Sequence, residues 1–177
     1  RSPELMIAIL GILKSGAAYV PIDAAYPQER IAFIMEDSGI KLLITDSSLN
    51  PLLPETDAPR LLVDRDYENI TQENTADPAV EIHPDQLVYM IYTSGSTGKP
   101  KGTLVTHRGL SNYLSWCRQA YPFGEGRGSL VHSTIAFDAT VTGLYTPLLS
   151  GKTVHLLPED SELDALGQAL KAGRPYS

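Results

Sequence analysis

The chain has 177 residues, of which 42% are hydrophobic and 20% charged, and its formal net charge is −7. This composition is typical of a globular protein and excludes a disordered or fibrous chain. The longest strongly apolar stretch, residues 5–13, is far shorter than the ~20 residues that cross a bilayer, so we expect no membrane partner. The acidic balance argues against nucleic acid. A lone cysteine, Cys117, excludes a disulfide within the chain and predicts a cytoplasmic location.

The first third of the sequence predicts two helices and two short strands. Ser2 can cap a helix that has Pro3 at its first position and ends near Ser15. Apolar residues surround this helix, so we expect most of it to be buried. A strand over residues 17–22 follows, then a helix over 27–38 that ends at a glycine, and a strand over 41–45.

The rest of the chain continues the alternation. We predict a strand over residues 61–63, a polar surface loop over 64–85, and a buried central strand over 87–93. The further elements are a strand at 103–106, a helix at 109–119, a strand at 130–135, a helical segment after residue 138, a strand at 153–157 and a helix at 161–172. This order predicts a layered α/β fold with largely parallel sheets flanked by helices.

Charge is distributed unevenly along the chain. No acidic residue occurs between positions 86 and 124, whereas Lys99, Lys101, Arg108 and Arg118 all lie there. This absence of acidic residues is consistent with an anion site, although it can also arise by chance.

A glycine- and hydroxyl-rich segment follows the predicted central strand. It reads Y-T-S-G-S-T-G-K-P-K-G and comprises the candidate phosphate-binding residues Thr93, Ser94, Gly95, Ser96, Thr97, Gly98, Lys99, Lys101 and Gly102. Glycines let backbone N–H groups turn toward a ligand, hydroxyls add donors, and lysines neutralise phosphate charge. The spacing fits neither the Walker A loop nor G-x-G-x-x-G. The alternative is a flexible surface loop.

The same segment resembles the phosphate loop of the adenylation domains of non-ribosomal peptide synthetases, within the adenylate-forming ligases. Two more segments agree with this family in order: LKSGAAYVPIDAAYPQERI at 13–31 and FDATVTGLYTPLLSG at 137–151. The resemblance implies that residues 1–177 are part of the large N-terminal domain. It also implies that the ribose-binding aspartate, the hinge and the small C-terminal subdomain with its catalytic lysine lie outside this chain.

The resemblance further implies an activity and its partners. An amino acid would be joined to AMP with ATP and Mg²⁺, releasing pyrophosphate, and then passed to the phosphopantetheine of a peptidyl carrier protein domain. A flanking condensation domain is expected in the longer protein. We expect no metal ligand within the chain itself. An acyl-CoA ligase or a non-catalytic nucleotide-binding module remain alternatives.

Roles for individual residues follow from the same resemblance. Thr93, Lys99 and Lys101 would act catalytically on the phosphates. Asp138 would bind the α-ammonium of the substrate, and its alternative is a helix-capping aspartate. Ala139 and Thr142 would line the side-chain pocket, where a threonine is typical of small polar substrates such as aspartate or asparagine. His132 would face the site, or serve as an ordinary strand histidine.

Overall fold

A computed structural model describes residues 1–94, 99–122, 126–158, 162–172 and 176. Helix α1 (Pro3–Lys14) begins as predicted, since the Ser2 hydroxyl accepts a hydrogen bond from the Leu5 N–H at 3.3 Å. The expectation that most of α1 is buried is wrong. Only Ile9 is fully buried, whereas Ile7 is 69% exposed, because a single face of α1 meets the core within the described residues.

The next elements form a small layer of their own. Helix α2 (Gln28–Ser38) ends at Gly39, which has the left-handed φ of 60°. Strands β1 (Leu43–Thr45) and β2 (Arg60–Leu62) pair in parallel. A short helix, α3 (Tyr67–Gln72), crosses the segment predicted to be loop, which lacked any apolar periodicity to indicate a helix.

The predicted strand over residues 17–22 is reduced to a single bridge. The Tyr19 N–H donates to the Val88 carbonyl at 3.2 Å and the Tyr19 carbonyl accepts from Met90 at 3.0 Å. Pro21 has no N–H to extend this pairing, so the ladder cannot continue.

Strand β3 (Leu87–Thr93) is buried as predicted, but it pairs antiparallel with β4 (Lys101–Thr106). The glycine-rich segment therefore joins the two strands of a hairpin, in the strand–loop–strand order that the sequence predicts. Helix α4 (His107–Ala120) follows β4 directly, capped by the Thr106 hydroxyl, which accepts from the Gly109 N–H at 3.2 Å.

The last part of the chain contains β5 (Gly128–Val131), α5 (Thr140–Leu149), β6 (Thr153–Leu156) and α6 (Glu162–Lys171). Strands β5 and β6 are parallel. Of the three strand pairings in the described residues two are parallel, and helices flank them, as the α/β prediction required. No helix in the described part of the chain is long and apolar enough to cross a membrane.

The main core joins elements that are far apart in sequence. Its buried side chains come from α1, β3, α4, β5 and α5, together with the residue of the bridge: Ile9, Tyr19, Val88, Tyr89, Ile91, Leu110, Leu114, Val131, Val141, Leu144 and Tyr145. This core fixes α4 and α5 against β3 and thereby positions the candidate site.

Candidate functional site

The loop end of the β3–β4 hairpin carries the described residues of the predicted phosphate loop. The strand register places Thr93 opposite Lys101, so their side chains lie on the same face of the hairpin. Both residues are exposed, as are Ser94 and Lys99. The hairpin therefore brings hydroxyls and lysine ammonium groups together at one accessible end. Gly95, Ser96, Thr97 and Gly98 lie outside the described residues.

Gly102 contributes close packing between the two strands. It is opposite Tyr92, and a Cβ atom at this position would lie 2.6 Å from the Met90 sulfur. Its φ is not in the left-handed region, so the requirement for glycine here comes from space alone.

Tyr92 anchors the strand that leads into the loop, a role that sequence reasoning missed. Its hydroxyl donates to the Asp37 carboxylate at 2.6 Å, and its ring meets Phe33 edge-on at 6.4 Å between centroids. Burial and the hydrogen bond to Asp37 raise the pKa of the Tyr92 phenol. Because Asp37 lies on α2, no local pattern could have revealed this contact.

The segment over residues 86–124, which contains no acidic residue, carries less unpaired positive charge than its sequence suggests. The guanidinium of Arg108 donates to both oxygens of Asp85, at 2.7 and 3.1 Å, and holds the pKa of that carboxyl below its usual range. Arg108 is therefore paired with an acid just before the segment. Lys99 and Lys101 remain the exposed cations at the hairpin end.

Asp138 lies just before α5 and is exposed. The capping alternative is not supported, because the residue at the N-cap of α5 is Ala139 and no side-chain capping bond is made there. The charge of Asp138 instead acts on Tyr89: burial raises the pKa of the Tyr89 phenol, and Asp138 raises it further.

Thr142 lies in the first turn of α5, whereas Asp138 precedes that helix. The Thr142 hydroxyl is 2.6 Å from the hydroxyl of Tyr113 on α4. Thr142 therefore faces α4. Tyr113 is a second residue that sequence reasoning missed, because 29 positions separate the pair.

Three buried tyrosines support this part of α5. The Tyr145 hydroxyl donates to that of Tyr19 at 3.0 Å, and the rings of Tyr19 and Tyr89 lie 5.5 Å apart. Burial raises the pKa of Tyr145 to about 12. The cluster is thus neutral at physiological pH.

Ala139 and His132 line a different surface, a groove of about 280 Å³ beside the start of α5. Gly143 and Phe137 line it too. His132 is exposed and lies one residue after β5, so it is not the strand histidine of the alternative interpretation. Its carbonyl accepts a hydrogen bond from the Arg1 guanidinium. The structure thus brings Ala139 and His132 together, and places Thr142 on the neighbouring face.

Within the described residues, no three His, Cys, Asp or Glu side chains form a group that could hold a metal ion.

A hairpin that presents hydroxyls and lysines beside an α/β core is typical of proteins that bind phosphate groups. The sequence model of the AMP-binding enzyme family matches residues 1–175. The chain belongs to this family.

Comparison with characterised proteins agrees with this family. The chain is 47% identical over 156 residues to tyrocidine synthase 3 of Brevibacillus parabrevis; this covers 88% of the chain and 2% of that synthase. It is similar in structure to the non-ribosomal peptide synthetase FmoA3 in its AMPPNP-bound form, with TM-score 0.78, 36% identity, and coverage of 88% of this chain and 16% of the other.

The form of FmoA3 that holds alpha-methyl-L-serine-AMP gives a TM-score of 0.84 at 32% identity, covering 98% of this chain and 19% of that one. The chain thus spans a small part of the length of its relatives.

Proposed function

We propose that this chain is part of the N-terminal domain of an amino-acid-adenylating ligase in a non-ribosomal peptide synthetase. The observation that carries the proposal is the register that sets Thr93 opposite Lys101 at the hairpin end. The family match and the AMPPNP-bound relative support ATP as the nucleotide.

The proposed reaction needs little acid–base chemistry. A carboxylate oxygen of the amino acid attacks the α-phosphorus of ATP, the bond to the bridging oxygen breaks, and pyrophosphate leaves with that electron pair. The amino-acid carboxylate is ionised near neutral pH, so no general base is required. The protein has to position the reactants and stabilise the charge of the departing pyrophosphate.

The hairpin end supplies the second of these requirements. Thr93 and Ser94 offer hydroxyl donors, and Lys99 and Lys101 offer positive charge, at one exposed edge. In this proposal they hold the β and γ phosphates, together with the segment from Gly95 to Gly98. Mg²⁺ would accompany the nucleotide and would neutralise part of its phosphate charge.

The start of α5 supplies the amino-acid site. Asp138 is exposed and makes no capping bond with α5, so its carboxylate is available to an α-ammonium group. Thr142 in the first turn of α5, and Ala139 with His132 in the nearby groove, would border the substrate. We further propose that the aminoacyl group passes to phosphopantetheine on a carrier domain, beside a condensation domain, in the cytoplasm, where ATP is supplied.

Amino-acid-dependent pyrophosphate exchange by the full-length protein tests this function. We expect exchange with at least one amino acid, and a specificity constant that falls about 10- to 100-fold for the matched carboxylic acid without an amino group, because a charged hydrogen bond is lost. Asp138→Asn should reduce that preference, mainly by lowering the specificity constant for the amino acid.

Three results would count against parts of the proposal. Absence of exchange with every amino acid would contradict the adenylating activity. Equal use of the deamino acid would indicate an acyl ligase. A strong preference unchanged in Asp138→Asn would place the ammonium site elsewhere.

A further inference from the structure

The side chain of Arg1 lies where strands β5 and β6 end. Its guanidinium donates to the carbonyls of Leu157 at 2.9 Å and Pro158 at 3.2 Å, which follow β6. It also donates to the carbonyl of His132, which follows β5. Because β5 and β6 are parallel, these carbonyls all lie at the carboxyl ends of the pair, where α/β folds bind their ligands.

The backbone of Arg1 is fixed by the helix that follows it. Ser2 is the N-cap of α1, with its hydroxyl bonded to the Leu5 N–H, and Pro3 has a restricted φ. Helix α1 in turn packs on the main core through Ile9. A guanidinium has five N–H groups in one plane, so it can bridge two strand ends while its own position is set by α1.

The chain after β5 borders the groove of the proposed amino-acid site. Residues 132–139 connect β5 to α5 without forming a strand or a helix. His132 and Ala139, at the two ends of this connection, both line the groove of about 280 Å³. Near α5 the connection is held by the Thr140 hydroxyl, which donates to one of its carbonyls at 2.8 Å. Near β5 it is held by the bond from Arg1 to the His132 carbonyl.

We propose that Arg1 is a positioning residue: it holds the carboxyl ends of β5 and β6 together and thereby fixes His132 at the groove where the amino acid binds. The inference rests on the proposed function and extends it to a residue outside the three motif segments. Without the guanidinium, the carbonyls would bond to water and the start of the 132–139 connection would be free to shift. The amino acid would then bind more weakly, whereas the β3–β4 hairpin would hold the nucleotide as before.

Pyrophosphate exchange by the full-length protein separates positioning from stability. In Arg1→Ala we expect the KM for the amino acid to rise about 3- to 10-fold, the effect of losing about one hydrogen bond, and the KM for ATP to stay within about twofold. The midpoint of thermal unfolding should also fall by about 5 °C. A residue that served stability alone would lower the amount of folded enzyme, and hence the apparent kcat, and would leave both KM values unchanged.

Arg60→Ala is the matched control. The guanidinium of Arg60, in β2, also holds chain segments through several acceptors: the carbonyl of Asn50 at 3.3 Å, the side-chain oxygen of Asn50 at 2.7 Å and the carbonyl of Pro54 at 2.7 Å. Arg60→Ala should therefore lower the unfolding midpoint by a similar amount and leave both KM values unchanged.

Arg1→Lys covers the case in which Arg1→Ala folds poorly. Lysine keeps the positive charge but offers a single nitrogen, which cannot bridge the two strand ends as a planar fork does. The KM for the amino acid should rise about as much as in Arg1→Ala, while the unfolding midpoint should fall less.

His132→Ala shows whether Arg1 acts through His132. The bond from Arg1 is to the backbone carbonyl, so this substitution removes the imidazole and leaves the bond in place. His132→Ala should itself raise the KM for the amino acid. Adding Arg1→Ala should raise that KM little further, although the unfolding midpoint should still fall.

Three results would overturn the proposal: an unchanged KM for the amino acid in both Arg1 variants, an equal rise in Arg1→Ala and Arg60→Ala, or fully additive effects of the Arg1 and His132 substitutions. In each of these cases, exchange by the unaltered protein would preserve the proposed function. Absence of exchange by the unaltered protein with every amino acid would overturn both.

Discussion

The β3–β4 hairpin and the start of α5 hold the two halves of the candidate site, and they are built differently. The hairpin places Thr93 and Lys101 together through the register of two strands that are neighbours in sequence. The start of α5 depends on partners from separate elements, such as Tyr113 on α4 and Tyr89 on β3. An anion site can thus be encoded in one contiguous segment, whereas the surroundings of Asp138 exist only after folding.

Gly128 in β5 and Gly102 in β4 show how far the strands beneath α5 and the hairpin tolerate a larger side chain. At Gly128 in β5, φ is 135° and a Cβ atom would lie 1.8 Å from the backbone oxygen of Thr153. At Gly102 in β4, φ is ordinary and the nearest atom belongs to the flexible side chain of Met90. The parallel pair beneath α5 is therefore constrained by backbone, and the hairpin by a movable side chain.

Gly128→Ala should have the largest effect on stability. Backbone strain and overpacking together should cost about 3–5 kcal/mol and lower the midpoint of thermal unfolding by about 10 °C. Calorimetry of the purified protein measures the change. Gly11→Ala in α1, where no atom lies within 4 Å of the added Cβ, is the control and should be neutral or slightly stabilising. A shift as small as that of Gly11→Ala would show that β5 and β6 can separate at little cost.

Lys101→Ala should mainly affect the hairpin half of the site. Losing a charge-assisted hydrogen bond to phosphate should cost about 1.5–3 kcal/mol, or about 10- to 150-fold in exchange at low ATP concentration. The dependence of pyrophosphate exchange on ATP measures it, with exposed Lys41→Ala as a control for the loss of one positive charge. If the two variants behaved alike, Lys101 would not contact the nucleotide.

Tyr92→Phe tests whether the hairpin needs a tertiary anchor. Removal of the hydrogen bond to Asp37 should destabilise the protein by about 1–2 kcal/mol, since Tyr92 is only 4% exposed. If Tyr92 also positions the loop, the KM for ATP should rise more than kcat falls. The exposed Tyr67→Phe serves as the reference. If stability and the KM for ATP were both unchanged, the hairpin would not depend on the contact between Tyr92 and α2.

Gly102→Ala should have the smallest effect, about 1 kcal/mol of stability, because Met90 can move aside. Met90→Ala in the same chain removes the blocking sulfur and should recover most of that loss. Thermal unfolding of the single and double variants gives the comparison. A large loss that the second substitution does not relieve would mean that backbone, rather than Met90, limits this position.

Local sequence patterns predicted many of the elements. The Ser2–Pro3 start of α1 and the Gly39 end of α2 are capping signals, and β3 is an unbroken apolar run. The burial of α1 was predicted wrongly, and the antiparallel pairing of β3 with β4 was not predicted. Periodicity shows which residues are apolar, but it does not show which neighbour covers them or in which direction a strand is paired.

The sequence by itself determined the chemistry offered at the hairpin end, because hydroxyls, glycines and lysines occur within ten consecutive positions. The contiguous motif over residues 137–151 also indicated Asp138 and Thr142 as candidate site residues. Only the tertiary structure decided that Thr142 faces Tyr113, that Ala139 and His132 share another groove, and that Tyr92 is held by Asp37. Such contacts join residues tens of positions apart, and their geometry is set by how the helices pack on the strands.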